Sequence, residues 1–318
     1  MKIIVLTPIK NEDWILDRFL SVTSQFADII IIADQNSTDN SKNIYPKYPK
    51  VHVIENNSTT YDEAERQILL INKARELEPG PKILLALDAD ELLAANALQT
   101  IEWQTIKKAS KGTVLCFEKP DLIHSPDKCM RWRSTPWPLG YVDDGIEHKP
   151  SKVHSIRIPN PPNHPILILN EIKIIHYAYV RMSSQNAKLR YYSVVENNLN
   201  SLDFIKRRYR YTTNKQWQTG LIEDSQKEWF EGWEKMGIDM TSVSASKYYW
   251  QDIEVLANFK KYGSKKYWLD DIWDQNWQEV KNISVYKDLK IVYPPKYYKI
   301  ILKVIDNLFK FYKKISLK

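Results

Sequence analysis

Cysteine, long apolar runs and glycine are all scarce in this chain, and each scarcity excludes a class of protein. Only two of 318 residues are cysteine, so neither a disulfide framework nor a C-x-x-C metal motif is present, and a reducing compartment is expected. No run approaches the roughly 20 apolar residues of a membrane-spanning helix, and the apolar start of the chain is too short for a signal peptide. With 8 glycines and 12% aromatic residues, the composition is not low-complexity. The sequence predicts a folded cytoplasmic protein.

The positive charge is concentrated at the carboxyl end. The formal net charge is +7, and residues 296–318 contain seven Lys and one Asp, which account for +6 of it. The first 295 residues are therefore close to neutral, at +1. A nucleic-acid-binding body carries its excess of Lys and Arg over a folded surface, so the sequence disfavours that function despite a pI near 9.0.

Strand and helix signals alternate through the first third of the chain. Helical patterns follow Asn11, which we expect to be the cap, and span Tyr61–Leu77, where Pro79-Gly80-Pro81 ends them. The buried strands between them are predicted at Lys2–Ile9, Asp28–Asp34, Val51–Glu55 and Lys82–Leu87. This alternation predicts an α/β fold with a Rossmann-like, mostly parallel sheet flanked by helices.

The rest of the chain is less regular. Residues 120–165 hold nine of the 16 prolines and are predicted to be mainly loop. Further strands are predicted at Gly112–Lys119, Pro165–Leu169 and Glu171–Val180, and helices at Ser184–Asn200, Ser225–Lys235, Ala245–Tyr262 and from Lys296. We expect a catalytic domain at 1–200, a helical region at 201–295 and a basic helix at 296–318.

Carboxylates follow two of the predicted strands directly. Asp34 ends the second strand, and Asp88-Ala89-Asp90-Glu91 follows the apolar run 83–87. The carboxyl ends of parallel strands form the edge where open α/β sheets bind ligands. Two aspartates separated by one small residue suit a hard divalent cation beside a sugar or diphosphate oxygen. An isolated D-x-D is more often a solvated loop, so the rest of the pattern decides.

Three segments in order along the chain resemble the family 2 glycosyltransferases, which have the GT-A fold. They are Thr7-Pro8-Ile9-Lys10-Asn11-Glu12, Ala33-Asp34-Gln35-Asn36-Ser37-Thr38-Asp39 and Asp88-Ala89-Asp90-Glu91. The resemblance covers about the first 95 residues, with a weaker echo at His176-Tyr177-Ala178-Tyr179. It implies an inverting transfer from a nucleotide-sugar, UDP- or GDP-linked, to a glycan or glycolipid in surface polysaccharide synthesis. It also implies Mn²⁺ or Mg²⁺ as cofactor.

The resemblance assigns roles in binding the nucleotide. Thr7 and Pro8 would contact the nucleoside, partly through backbone groups, and Glu12 would be a further nucleoside ligand or first-turn helix chemistry. Asp34 would accept hydrogen bonds from the base, although Gln35 stands where the family often has a second Asp. Asp39 is better explained as a helix cap.

The diphosphate and metal are assigned to a second set of residues. Arg66 would lie near the sugar-diphosphate, or would form an i, i+4 ion pair with Asp62 instead. Asp88 would contact ribose or sugar, and Asp90 would hold the metal. His176 would be a further metal ligand, although a histidine inside an apolar strand is otherwise a core residue.

The acceptor side is less well defined. Inversion needs a carboxylate base, and Asp144 is the chosen candidate among Asp143, Asp144 and Glu147. Asp-Gly after an apolar residue is equally a hairpin turn. Trp132, Trp137 and Tyr141 would stack on sugar rings or pack in the core. The neighbouring histidines lack metal-ligand spacing, so no zinc site is predicted: His124, His148, His154 and His164.

The predicted helix from Lys296 is amphipathic, with lysines on one face. The other face holds Tyr297, Ile301, Val304, Ile305, Leu308, Tyr312 and Ile315. Such a helix suits an anionic membrane surface, or it packs on its own domain with a solvated lysine face.

Two other functions remain open. A sugar nucleotidyltransferase would carry a Gly-rich phosphate loop after strand one, and Thr7–Asp13 contains no Gly. A nucleotide-sugar or glycan-binding module without turnover fits the same residues except the base.

Overall fold

A computed structural model describes residues 1–58, 62–131, 136–151, 155–200, 202–212 and 221–316. The chain forms two compact units. Unit 1 comprises Met1–Met182 and Gly220–Ser244, and unit 2 comprises Ser183–Thr219 and Ala245–Lys318. This division differs from the expected one because a late segment returns to the first unit, which is a long-range event that composition does not signal.

The strands and helices of the described residues follow the sequence expectations closely in the first third. The strands are β1 (Lys2–Ile9), β2 (Ile29–Asp34), β3 (Val51–Glu55), β4 (Lys82–Ala86), β5 (Glu91–Leu93), β6 (Val114–Glu118), β7 (Asp121–Ile123), β8 (Ser125–Arg131), β9 (Trp137–Val142), β10 (Ile166–Tyr179) and β11 (Leu221–Asp224). The helices are α1 (Asp13–Thr23), α2 (Ser41–Ile44), α3 (Glu63–Leu77), α4 (Ile101–Ile106), α5 (Met182–Leu199), α6 (Phe204–Arg210), α7 (Glu231–Lys235), α8 (Trp250–Tyr262), α9 (Trp277–Asn282) and α10 (Lys296–Ser316).

All these strands belong to one sheet with the order β11-β8-β7-β10-β6-β9-β4-β1-β2-β3, with β5 beside β10. The half β4-β1-β2-β3 is parallel throughout. β9 runs antiparallel between β4 and β6, and β10 is parallel to both β6 and β7. The predicted α/β class, with a flanked sheet and a helical carboxyl-terminal region, is confirmed.

The parallel half forms because its strands are apolar on both faces. Ile4 and Leu6 of β1 pack on the side of α3, while Ile3 and Val5 pack with α1 on the other side. A strand that is covered on both faces needs such a continuous apolar run, and the alternation assigns each residue to one face.

The start of α1 corrects one expectation. The cap residue is Glu12 and not Asn11, whose φ of +57° is the left-handed conformation that asparagine tolerates. The Asn11 side chain instead accepts the backbone N–H of Thr38 at 2.7 Å. Asn11 therefore ties the β1–α1 turn to the loop that follows β2. α3 is capped by Asp62, which accepts the Glu65 N–H at 3.0 Å.

β10 is one long strand where two were predicted, and 120–165 contains strands where loop was predicted. The gap between the two predicted strands is a bulge, whose N–H groups of Asn170, Glu171 and Ile172 donate to the Glu102 carboxylate of α4 at 2.8 to 3.1 Å. The bulge keeps its backbone donors satisfied, so the strand continues through it to His176.

Unit 2 is helical in its described part, and buried ion pairs hold its helices in place. Arg190 of α5 contacts Asp252 of α8 at 2.9 Å, and Arg207 of α6 contacts Asp270 at 2.6 Å. Among the described residues of the whole chain, no helix is both long and apolar enough to cross a bilayer.

Candidate active site at the carboxyl edge of the sheet

Several of the predicted site residues meet at the carboxyl edge of the parallel half. Ile9, at the end of β1, pairs with Asp34, at the end of β2. On the other side of β1, Leu6 pairs with Ala86, and the Leu87 N–H donates to the Leu6 carbonyl at 3.1 Å, which places Asp88 just beyond the edge. Parallel pairing in register brings these strand ends together, as the sequence predicts.

The Asp88–Glu91 turn is closed by two hydrogen bonds. The Glu91 N–H donates to the Asp88 carbonyl at 3.0 Å, and the Asp88 N–H donates to Glu91 Oε2 at 3.0 Å. Glu91 is fully buried, so its carboxylate supports the turn from inside, while the side chains of Asp88 and Asp90 are 30% and 19% exposed.

Two cations neutralise the buried Glu91. Arg157 donates to it at 2.5 and 3.1 Å, and Lys119 Nζ lies 2.9 Å from Oε1. Burial raises the pKa of Glu91, but the charges of Arg157, Lys119 and His176 outweigh burial and hold this pKa well below its usual value. Arg157 also donates to Asp88 Oδ2 at 2.7 Å, so one guanidinium fixes both carboxylates.

His176 lies beside the same turn. In the sheet it is the register partner of Glu91 in β5 and of Asp121 in β7. The next residue, Tyr177, donates its N–H to the Asp90 carbonyl at 2.8 Å. His176 Nδ1 is 2.5 Å from Asp121 Oδ1, while Nε2 is 3.6 Å from Asp90 Oδ2.

The pKa of His176 reflects its two carboxylates. Burial and the charge of Lys119 lower this pKa, but Asp90 and Asp121 outweigh both and raise it to about 9. The same negative field that favours a proton between Asp90 and His176 also favours a metal cation there.

Asp90 and His176 could together supply two ligands to a divalent metal. Their oxygen and nitrogen converge at a separation that one ion can bridge, and Asp121 orients the imidazole through its other nitrogen, a common arrangement around metal-binding histidines. No group of three or more His, Cys, Asp or Glu in the described part of the chain is arranged to hold a metal. Mg²⁺ is typically held by one or two carboxylates together with phosphate oxygens and water, and Asp90 would be a ligand of this kind.

Asp34 is engaged by the protein. Oδ1 accepts the Ser37 N–H at 2.7 Å, Oδ2 accepts the Tyr45 hydroxyl at 2.6 Å, and Asp34 is only 4% exposed. Its carboxylate therefore shapes the loop after β2. The hydrogen bond to a nucleotide base stays a prediction.

Thr7, Pro8 and Glu12 all lie near the end of β1, but their side chains have different surroundings. Thr7 is fully buried and shares the α1 face with Val5, so its side chain points into the core. Pro8 alternates to the α3 face and is half-buried. The Glu12 carboxylate accepts the Trp14 indole N–H at 2.7 Å. Any contact of Thr7 with a nucleoside would therefore come from its backbone.

Arg66 lies near the start of α3. The helix leads back to the amino end of β4, so its first turns lie toward the carboxyl edge. Arg66 is half-buried, and the predicted partner Asp62 uses its carboxylate to cap the helix. The Ser155 N–H donates to Glu63 at 3.0 Å, which ties the segment containing Arg157 to this turn.

Asp144 is not brought to this edge. β9 runs antiparallel to β4, with Ile83 paired to Val142, so the residues after β9 lie at the amino edge of the sheet. Asp144 accepts the Tyr141 hydroxyl there at 2.7 Å. The prediction of Asp144 as base is corrected on this ground, because a full strand separates it from Asp88.

Along the same strand, β9, two of the predicted aromatic residues have different positions. Trp137, at the start of β9, lies at the carboxyl edge, is 45% exposed, and has Lys119 Nζ 4.4 Å from its ring centroid. Tyr141 is fully buried and packs in the core. Trp132 lies outside the described residues.

Sequence reasoning missed Arg157, Lys119 and Asp121. Lys119 directly follows β6 and Asp121 begins β7, so a search for polar residues at every strand end would have found both. Arg157 lies within the Pro-rich segment 120–165, 66 residues from Glu91, and no local signal marks it.

Comparison with known proteins gives a likeness in fold. No protein-family model matches the chain, and no curated protein matches it. Among solved structures, S. aureus TarS matches with 16% identity and a TM-score of 0.38, covering 65% of this chain and 42% of TarS. TarS 1-349 matches with 14% identity and a TM-score of 0.38, covering 85% and 83%.

A glucosyl-3-phosphoglycerate synthase from Mycobacterium tuberculosis matches with 16% identity and a TM-score of 0.25, covering 37% of this chain and 43% of that chain. It was solved with Mn²⁺, uridine diphosphate and phosphoglyceric acid. This chain thus spans less than half of the full TarS chain and of the synthase. The function has to be inferred from the site itself.

Proposed function

We propose that this chain is an inverting, metal-dependent glycosyltransferase that uses a nucleotide-sugar donor, as its resemblance to family 2 implies. The observation that carries the proposal is the convergence of Asp90 Oδ2 and His176 Nε2, 3.6 Å apart, beside Asp88 at the carboxyl edge of the sheet. A metal-binding pair at this edge suits a donor diphosphate better than it suits a structural loop, because the cation needs further oxygen ligands.

Asp90 and His176 would hold Mn²⁺ or Mg²⁺. When bound, the cation would stabilise the negative charge of the departing diphosphate. Asp121 keeps the His176 ring oriented, with Nε2 toward Asp90. Arg157 and Glu91 keep the turn in shape.

The nucleoside would lie over the ends of β1 and β2. Pro8, Glu12 and the loop organised by Asp34 border that place, and Arg66 would approach the diphosphate from α3. Asp88 would accept hydrogen bonds from ribose or sugar hydroxyls, with Arg157 holding its carboxylate in place at 2.7 Å.

The acceptor would be a glycan or glycolipid. Trp137 supports this because it is half-exposed at the carboxyl edge, and a flat indole suits the apolar face of a sugar ring. A lipid-linked acceptor would bring the reaction to a membrane surface. The base that deprotonates the acceptor hydroxyl is left unassigned.

A thermal-shift screen tests the proposal. UDP-, GDP-, CMP- and dTDP-sugars are added with and without Mn²⁺, and the best donor is then incubated to measure hydrolysis and transfer. We expect a Mn²⁺-dependent rise in Tm for one nucleotide, because a ligand that binds only the native state stabilises it.

The outcomes separate the rival functions. Binding with transfer or slow hydrolysis supports a transferase, and binding without either supports a binding module. Turnover of a nucleoside triphosphate with a sugar phosphate would identify a nucleotidyltransferase. No shift with any donor would contradict the proposed transferase.

A further inference from the structure

α10 is docked on unit 2 along one strip of its surface. Leu302 is 7% exposed, and the Tyr298 ring packs edge-on against Trp268 with centroids 5.2 Å apart. Arg208 donates to both Asp306 carboxylate oxygens at 2.9 and 3.1 Å. Residues four apart follow one another along one face of a helix, so positions 298, 302 and 306 define the docked strip.

A second apolar strip of α10 is exposed. Tyr297, Ile300, Ile301 and Val304, which we call the exposed strip, are 58%, 67%, 45% and 52% exposed. At about 100° per residue they share an arc of about 100° beside the docked strip. In the sequence the same spacing continues with Leu308, Phe311 and Ile315. The apolar side of α10 is thus wider than the docked strip that the rest of unit 2 covers.

Lysines border the exposed strip on its far side. Lys296 and Lys303 are exposed, within about 60° of Ile300 on the helical wheel. The sequence continues this row with Lys310 and Lys314. The acidic residue of the helix, Asp306, is paired with Arg208, so its charge does not offset the lysine row.

We propose that the exposed strip of α10 docks on an anionic lipid surface. An apolar strip edged by lysines matches the boundary of a bilayer, where acyl chains lie next to negatively charged headgroups. The ion pair of Arg208 with Asp306 holds the helix in place before it meets the lipid. This surface goes beyond the transfer reaction and holds whether or not the chain transfers a sugar.

A second copy of the chain fits the strip less well. Symmetric pairing of two α10 helices would bring the lysine rows of both copies together, and like charges at an interface oppose association. Anionic lipid instead offers the opposite charge at the position where the lysines lie.

Vesicle co-sedimentation of the full chain tests the proposal. We expect binding to vesicles of phosphatidylcholine with phosphatidylglycerol, and little binding to phosphatidylcholine alone. Ile300→Ser/Val304→Ser should abolish the binding. Lys296→Glu/Lys303→Glu should weaken it at least about tenfold, since each basic residue near the headgroups contributes to the attraction.

Val285→Ser is the matched control, because Val285 is 88% exposed and belongs to unit 2 but lies outside α10. It should bind as the unchanged chain does. Absence of binding to anionic vesicles, or equal binding by the Ile300→Ser/Val304→Ser variant, would overturn the proposal. Light scattering completes the test. If the unchanged chain were a dimer that did not bind vesicles, and the Ile300→Ser/Val304→Ser variant were a monomer, the strip would be assigned to a second copy.

Discussion

At the scale of single residues, the fully buried Glu91 carboxylate determines how the turn beside Asp90 and His176 is held. Arg157 and Lys119 surround it, and Arg157 reaches on to Asp88. A buried charge is tolerated only while its partners remain, and removal of one partner leaves a charge that water cannot reach. The geometry of the site therefore depends on Arg157, which lies within the Pro-rich segment 120–165.

Arg157→Met should lower the free energy of unfolding by about 3 kcal/mol, because Glu91 would keep Lys119 as its remaining close cation. Urea unfolding followed by tryptophan fluorescence measures the change. Arg157→Lys should recover part of the loss, since it restores the charge without the two-pronged geometry.

Lys149→Met serves as the control for this prediction. Lys149 lies 3.6 Å from Glu147, and both side chains are about four-fifths exposed, so the pair contributes little. If the Lys149 and Arg157 variants lost equal stability, the claim that Arg157 stabilises the fold by neutralising buried Glu91 would be contradicted.

A pH effect follows from His148, whose Nε2 lies 2.8 Å from Gln67 Oε1. Burial and the charge of Arg75 lower the pKa of His148 from 6.5 to about 4. The unfolded chain binds this proton more readily, so stability should fall as pH falls from 6.5 toward 4. His148→Gln should flatten that part of the stability profile. If the difference in free energy of unfolding between the unchanged chain and His148→Gln stayed constant from pH 6.5 to 4, the assignment would be contradicted.

At the scale of elements, β10 delivers His176 to the turn, and its bulge depends on Glu102 of α4. Glu102→Ala removes the acceptor of three backbone N–H groups and should lower the free energy of unfolding by about 1–2 kcal/mol. Hydrogen exchange at Ile172 should accelerate together with that loss.

Gln104→Ala is the matched change on the same helix, because Gln104 is exposed and its replacement leaves the bulge untouched. It should leave exchange at Ile172 unchanged. Equal acceleration by both variants would mean that α4 acts through its helical stability and not through the Glu102 carboxylate.

Strand direction explains which site residues could be predicted from sequence. Asp34 and Asp88 follow parallel strands of alternating β and α segments, where the edge is set by topology alone. Asp144 was misplaced because β9 is antiparallel, and nothing local in Trp137–Val142 distinguishes the two directions. The resemblance pointed to His176, but its pairing with β5 and β7 was not predictable.

At the scale of the whole molecule, the α/β class and the amphipathic helix were predictable because each depends on local periodicity. The unit boundaries, the Arg157 contacts and the docked strip of α10 were not, because each joins segments far apart in sequence. The sequence alone located the excess of lysine in the last helix. Which apolar residues stay exposed beside those lysines became clear only from the structure.

The most direct test of the account is calorimetric titration of the preferred nucleoside diphosphate with and without Mn²⁺, using the unchanged chain, Asp90→Asn and Asp144→Asn. We predict that Mn²⁺ strengthens binding at least about tenfold in the unchanged chain and in Asp144→Asn, but not in Asp90→Asn. The two substitutions are chemically identical and lie at opposite edges of the sheet. Retained Mn²⁺ dependence in Asp90→Asn, or its loss in Asp144→Asn, would contradict a metal–diphosphate site at the carboxyl edge.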